Sequence, residues 1–238
     1  MRLLLPAAIA VAFLIGAEYF VGWRELLEPW VSLGNPTVLV GPLILLLSSY
    51  VIRALRLYRY FDLHRGFGAC MRLMVHHNLC VNVLPMRTGE VAFPVLMRRY
   101  FAVTLQRSLP ALAWLRSLDA HALITLLTLA LGILTQSRPL LAVAALWAVA
   151  PFSAPWLARG VVRLVGARQS RAATLARNVA DAVPSTTAAL AEDWLLTALN
   201  WIVKIVAFAW IIQLFAEAHY GVSLLGAIGG ELSAMLPI

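Results

Sequence analysis

Residues 82–99 read N-V-L-P-M-R-T-G-E-V-A-F-P-V-L-M-R-R, a stretch that crowds three helix breakers and opposite charges into an otherwise apolar chain. Proline removes a backbone donor and glycine tolerates turns that other residues resist, so a straight helix through Pro85, Gly89 and Pro94 is disfavoured. Around this break, 62% of the 238 residues are hydrophobic and 13% are charged. That balance leaves too little polar surface for a water-soluble globule. Non-helical backbone at membrane depth persists only where protein buries it or a wet cavity touches it. The segment near 68–97 is therefore expected to be re-entrant or interrupted, and a place to look for a site.

Working outward, apolar runs at Leu3–Gly22, Val38–Ile52, Leu109–Leu134, Leu140–Leu157 and Trp194–Ala216, with a last one beginning at Val222, approach or exceed the length that crosses about 30 Å of hydrocarbon. The first run contains Pro6 and Glu18 and lacks a small-x-small cleavage pattern, so it reads as a retained helix. The expectation is an all-α, polytopic integral membrane bundle of about six spanning helices plus the interrupted segment. It forms a single transmembrane domain over 1–238 with no soluble domain.

The formal charge of +8 comes almost wholly from arginine, Lys204 being the one lysine. The arginines cluster after the second run, before Leu109 and after Leu157, which is the distribution of cytoplasmic loops and not of a nucleic-acid surface. It places the N-terminus in the cytoplasm of a multi-pass protein of the cell membrane. Arg168–Val183 reads as an amphipathic interfacial helix, and Pro184-Ser185 as a turn and cap for a short helix leading into Trp194. Cys70, Cys80 and the adjacent His76 and His77 lack metal-ligand spacing, and no cofactor is expected.

Arg116 and Asp119 lie three apart, on one face of a helix. With Arg87 and Glu90 they would cost roughly 10–14 kcal/mol if unpaired at the bilayer centre, at about 2.5–3.5 kcal/mol each. Two solutions follow. The four charges close on themselves, or Glu90 and Asp119 orient the guanidinium groups toward an anion, since the guanidinium fork matches phosphate oxygens. Lys204, ten residues into its run with Asn200 one turn before it, adds a positive charge that needs a neutral state, a partner such as Glu18 or Glu231, or an anionic headgroup. The helix before the break carries Arg72, His76, Asn78 and Asn82 within one arc of about 160°.

The order R-A-L-R-L-Y-R-Y (53–60), N-x-x-P-x-R-x-G-E (82–90), R-R (98–99) and R-x-x-D (116–119) resembles the transmembrane flippase-like domain of lysylphosphatidylglycerol synthases and their stand-alone relatives. The likeness is strongest over Arg53–Asp119. By position, Asn82, Pro85, Arg87, Gly89, Glu90, Arg116 and Asp119 match the motif, while Phe93 stands where the family often has a basic residue. Leu236-Pro237 looks like the start of a second interrupted segment, so the chain is expected to be C-terminally truncated.

The resemblance implies binding and translocation of an anionic phospholipid or a polyprenyl-phosphate-linked lipid. Arg87, Arg116 and Lys204 would receive the phosphate. Glu90, Asp119, Asn82 and Asn200 would form the orienting network, and Pro85 and Gly89 the broken backbone. The soluble aminoacyl-transferase domain of the namesake synthases has no counterpart here, so no enzyme activity is expected. The alternative is a structural or partner subunit of a lipid-modifying or cell-envelope glycolipid system, working as a homo-oligomer or with a partner synthase.

Overall fold

The computed structural model describes residues 4–63, 66–83, 89–166, 170–216 and 218–235, with the side chains of residues 4–10 left aside. Among these residues the secondary structure is helical, with no strand. In order the helices are α1 (Leu4–Phe20), α2 (Trp23–Ser32), α3 (Val40–Tyr60), α4 (Phe67–Val83), α5 (Ala92–Phe101) and α6 (Leu105–Leu134). They continue with α7 (Arg138–Val149), α8 (Ala154–Val165), α9 (Arg171–Asp181), α10 (Thr187–Phe215) and α11 (Tyr220–Met235).

Four stretches are long and apolar enough to cross a membrane: Pro36–Tyr60, Leu105–Leu134, Arg138–Val165 and Thr187–Phe215. The sequence-based figure of about six separates into these four and two shorter helices, α1 of 17 residues and α11 of 16. Large apolar side chains such as Leu47, Leu146 and Trp156 remain on the outside of the bundle, where acyl chains take the place of water. Helices α3 and α10 form the central pair. Their close approach depends on Gly41, since a Cβ there would lie 2.6 Å from the Trp210 ring.

The interrupted segment is built from α4 and α5, which pack on each other and flank α3 and α6. Gly89 sits directly on the backbone of Cys80 in α4, with no space for a Cβ. The chain thus doubles back at its break, as the breakers foretell, and Glu90 follows immediately. Pro85 and Arg87 lie outside the described residues.

Two apolar clusters fill the interior. One joins α3, α4, α5 and α6 around Leu57, Phe61, Leu73, Phe93, Met97 and Leu115. The other joins α6, α10 and α11 around Leu123, Trp201, Ile205 and Ile228. On α6, Asp119 falls between Leu115 and Leu123, so the carboxylate stands at the seam of the two.

Several boundaries differ from the sequence reading. The second apolar run does not stop at Ile52: the helix continues to Tyr60 and carries Arg53, Arg56 and Arg59 as helical residues. Arg159 and Arg163 belong to α8, not to a loop. The cap at the start of α10 is Thr186, whose hydroxyl accepts from the Ala189 amide, and the helix then runs unbroken to Phe215. A helix is present within the stretch read as amphipathic: it is α9, capped by Ser170, with Leu175 and Val179 exposed.

Candidate functional site

Asp119, 2% exposed, is the centre of a buried polar network contributed by α3, α6 and α10. Its Oδ1 accepts from Arg56 Nη1 at 2.7 Å and from the indole nitrogen of Trp201 at 3.1 Å. Its Oδ2 accepts from Arg116 Nη1 at 3.3 Å. Arg116 turns its Nε toward Glu90 Oε2 at 3.1 Å, which ties α6 to the residue just past the break. Arg56 also donates to the Thr197 hydroxyl at 2.6 Å, and that hydroxyl in turn donates to the main-chain oxygen of Asp193 at 2.7 Å. The desolvation of a buried carboxylate is offset here by three donors, two of them cationic.

The i, i+3 spacing of Arg116 and Asp119 does bring these two together, and Glu90 joins them. Lys204 finds Glu231, one of the two partners considered for it, at 2.7 Å, with its ammonium over the Trp201 and Phe208 rings. Glu18 instead accepts from the Trp23 amide at the start of α2. Asn200 is buried and accepts from Ser49 across the α3–α10 contact at 2.8 Å, a structural cross-link and not a contact of the charge network.

Asn82 is not brought into the network: it is exposed near the end of α4 and no hydrogen bond is assigned to it among the described residues. The polar arc to which it was allotted faces largely outward. Arg72 and His76 are exposed, His76 meeting the Tyr100 hydroxyl at 2.8 Å, and Asn78 donates to the Tyr50 hydroxyl. The face of α4 that looks inward carries Cys70, Leu73, Met74 and His77.

Three participants escaped the sequence reading. The charge distribution reads Arg56 as a loop residue, and hydropathy alone does not single out Thr197 and Trp201 within their apolar run. For Arg56 a signal existed: Arg53 and Arg56, spaced i, i+3, continue the helical pattern of the run before them. Thr197 and Trp201 declare themselves only in three dimensions.

Two cavities adjoin the network. The inner one, about 30 Å³, is bordered by Arg53, Arg56, Arg116, Asp119 and His77, and by apolar residues including Phe93. Phe93, at the position where a basic residue is common, packs edge-on against the His77 ring at 5.4 Å. Arg53 is half-buried and, among the described residues, has no hydrogen-bond or ion-pair partner. The second cavity, about 540 Å³, lies at the arginine-rich end of the bundle between the end of α3, the start of α6 and the α9–α10 connection. Its walls include Arg56, Arg59, Arg107, Glu192 and Asp193. Among the described residues no group of three or more His, Cys, Asp or Glu side chains could hold a metal ion.

The fold and the site together define a polytopic helical membrane protein with a charged centre inside its bundle. The chain belongs to the family described as the lysylphosphatidylglycerol synthase transmembrane region, whose model matches residues 3–238. That family is a membrane domain associated with lipid modification and flippase activity. No curated protein and no solved structure matches the chain.

Proposed function

We propose that this chain binds the phosphate of an anionic lipid at the inner cavity and carries that lipid between leaflets. The observation that supports the reading is Arg53, a half-buried guanidinium on a spanning helix with no hydrogen bond or ion pair among the described residues, beside Arg116 and Arg56, whose carboxylates are already engaged. A cation left alone inside a membrane protein is costly, and a bound phosphate removes that cost through charge-assisted hydrogen bonds. Relative to the sequence reading, the receiving role moves toward Arg53. Arg116 serves as a positioned neighbour held by Glu90 and Asp119, and Lys204 is committed to Glu231. Arg87, outside the described residues, is a candidate by its place in the motif. The arginine-rich end faces the cytoplasm of the cell membrane by the positive-inside rule.

A second reading has its own observation. The pairs Arg56–Asp119, Arg116–Glu90 and Lys204–Glu231 are closed, which is what a structural or partner subunit needs to hold its helices together.

Native mass spectrometry of the purified wild type and of Arg53→Gln, against anionic and zwitterionic lipids, tests the choice, with Arg87→Ala as a parallel arm. Selective retention of anionic lipid by the wild type, reduced about tenfold or more in Arg53→Gln, is the expected outcome, since hydrogen bonds to charged groups contribute about 1.5–3 kcal/mol. Equal retention by wild type and both variants favours the structural reading.

A further inference from the structure

Asp193 is 5% exposed on α10, and its two carboxylate oxygens have different fates. Oδ2 accepts from the indole nitrogen of Trp114 at 2.9 Å, while Oδ1 is buried without a hydrogen-bond partner. A buried carboxylate oxygen left unpaired is costly, and a cation in reach would relieve it. Arg56, which lines the same cavity as Asp193, is one candidate. It is bonded to Thr197, which lies one helical turn, about 6 Å, from Asp193 on the same face of α10.

Arg56 also lines both cavities, the inner one of about 30 Å³ and the outer one of about 540 Å³, and among the described residues no other side chain does so. On the inner side, Arg53 precedes Arg56 by three residues on α3 and borders the same cavity as Asp119. Among the described residues the network thus holds a guanidinium without an ion pair on one side of Arg56 and a carboxyl oxygen without a hydrogen-bond partner on the other.

We propose that Arg56 is a movable partition with two seats, Asp119–Thr197 and Asp193, and that its passage between them joins or separates the two cavities. In the inner seat, seen here, Arg56 stands between the two cavities and leaves Arg53 to hold an anion. In the outer seat Arg56 pairs with Asp193, Arg53 takes its place at Asp119, and every charge named has a partner. This rests on the lipid-phosphate reading of the inner cavity and adds its control: an anion on Arg53 favours the closed seat, and release of the anion favours the open one. Such coupling needs only that the ligand bind one arrangement better than the other.

The test places a reporter thiol in the inner cavity, Leu115→Cys, in the full chain with Cys70→Ala and Cys80→Ala, purified in detergent and checked by size exclusion. The probe is the anionic reagent 2-sulfonatoethyl methanethiosulfonate, and the readout is its rate of reaction. Thr197→Val removes the hydroxyl of the inner seat and is expected to speed labelling by about tenfold or more, because a minor state is ordinarily populated at about 0.1–10%. Asp193→Asn removes the charge of the outer seat and is expected to slow it.

The double variant Thr197→Val/Asp193→Asn is the decisive arm. A partition that needs its outer seat labels slowly again, whereas a merely loosened helix contact labels as fast as Thr197→Val alone, which would overturn the proposal. Asp193→Asn labelling at the wild-type rate overturns it as well, and needs no change at Thr197. Lipid retention is scored on the same samples. Retention of anionic lipid without any labelling response removes the partition and keeps the lipid reading, and a labelling response without retention does the reverse.

Discussion

Two ionic centres lie inside this bundle, and they are built on different plans. Lys204 and Glu231 form one contact between α10 and α11, roofed by the Trp201 and Phe208 rings, with about a fifth of each side chain exposed. Asp119 is more deeply buried and is shared by two arginines on two helices, with Thr197, Trp201 and Glu90 completing the set. The first centre closes on itself. The second leaves, among the described residues, Arg53 without an ion pair on one side and an oxygen of Asp193 without a hydrogen bond on the other. A pair that matches its own charges can be replaced as a unit, whereas a shared centre has more than one way to arrange its contacts. That difference is why the lipid-handling role is assigned to the Asp119 centre and a fastening role to Lys204.

The sharpest way to break the comparison is Asp119→Asn. Removing the shared charge leaves Arg56 without its carboxylate and Arg116 with Glu90 alone, and a loss of about 3–5 kcal/mol is expected in a denaturant titration in mixed micelles. A loss as small as that of a surface pair would show that the centre is not shared as described.

A smaller effect is expected at the other centre. Lys204→Met alone strands Glu231 and should cost about 1.5–3 kcal/mol, the range for a hydrogen bond to a charged group. Lys204→Met with Glu231→Leu should recover most of that loss, because both members leave together. No recovery in the double variant would mean that Lys204 has another obligation.

The third test is Gly89→Ala. A methyl group there collides with the Cys80 main chain, which cannot yield as a side chain can, and shifts Glu90 relative to Arg116, at about 3 kcal/mol, the upper part of the usual overpacking range. The expected readout is a lowered unfolding midpoint together with weaker anionic-lipid retention. A lowered midpoint with unchanged retention would separate the break from the site.

Much of this architecture is legible in the sequence because the membrane imposes simple rules. The apolar runs place the long helices, the breakers place the turn between α4 and α5, and the i, i+3 spacing pairs Arg116 with Asp119. The rule that marks topology also misled. Counting arginines as loop residues hid Arg56, since charge distribution along a chain does not distinguish a guanidinium at a helix end from one turned into the bundle. The arc from Arg72 to Asn82 is correct as an arc, but a helical wheel gives relative and not absolute directions. The inward face is the i, i+3, i+4, i+7 set Cys70, Leu73, Met74 and His77. Thr197 and Trp201 carry no local mark, because their significance arises only when α10 is laid against α3 and α6.

Trp201 has a consequence of an evolutionary kind. Its indole nitrogen donates to Asp119 while its ring faces the Lys204 ammonium at 5.0 Å, so a single side chain belongs to both ionic centres. Replacements at one centre are therefore expected to be felt at the other through position 201. A substitution tolerated beside Asp119 in one genetic background is expected to be rejected in another that differs only at Lys204 or Glu231.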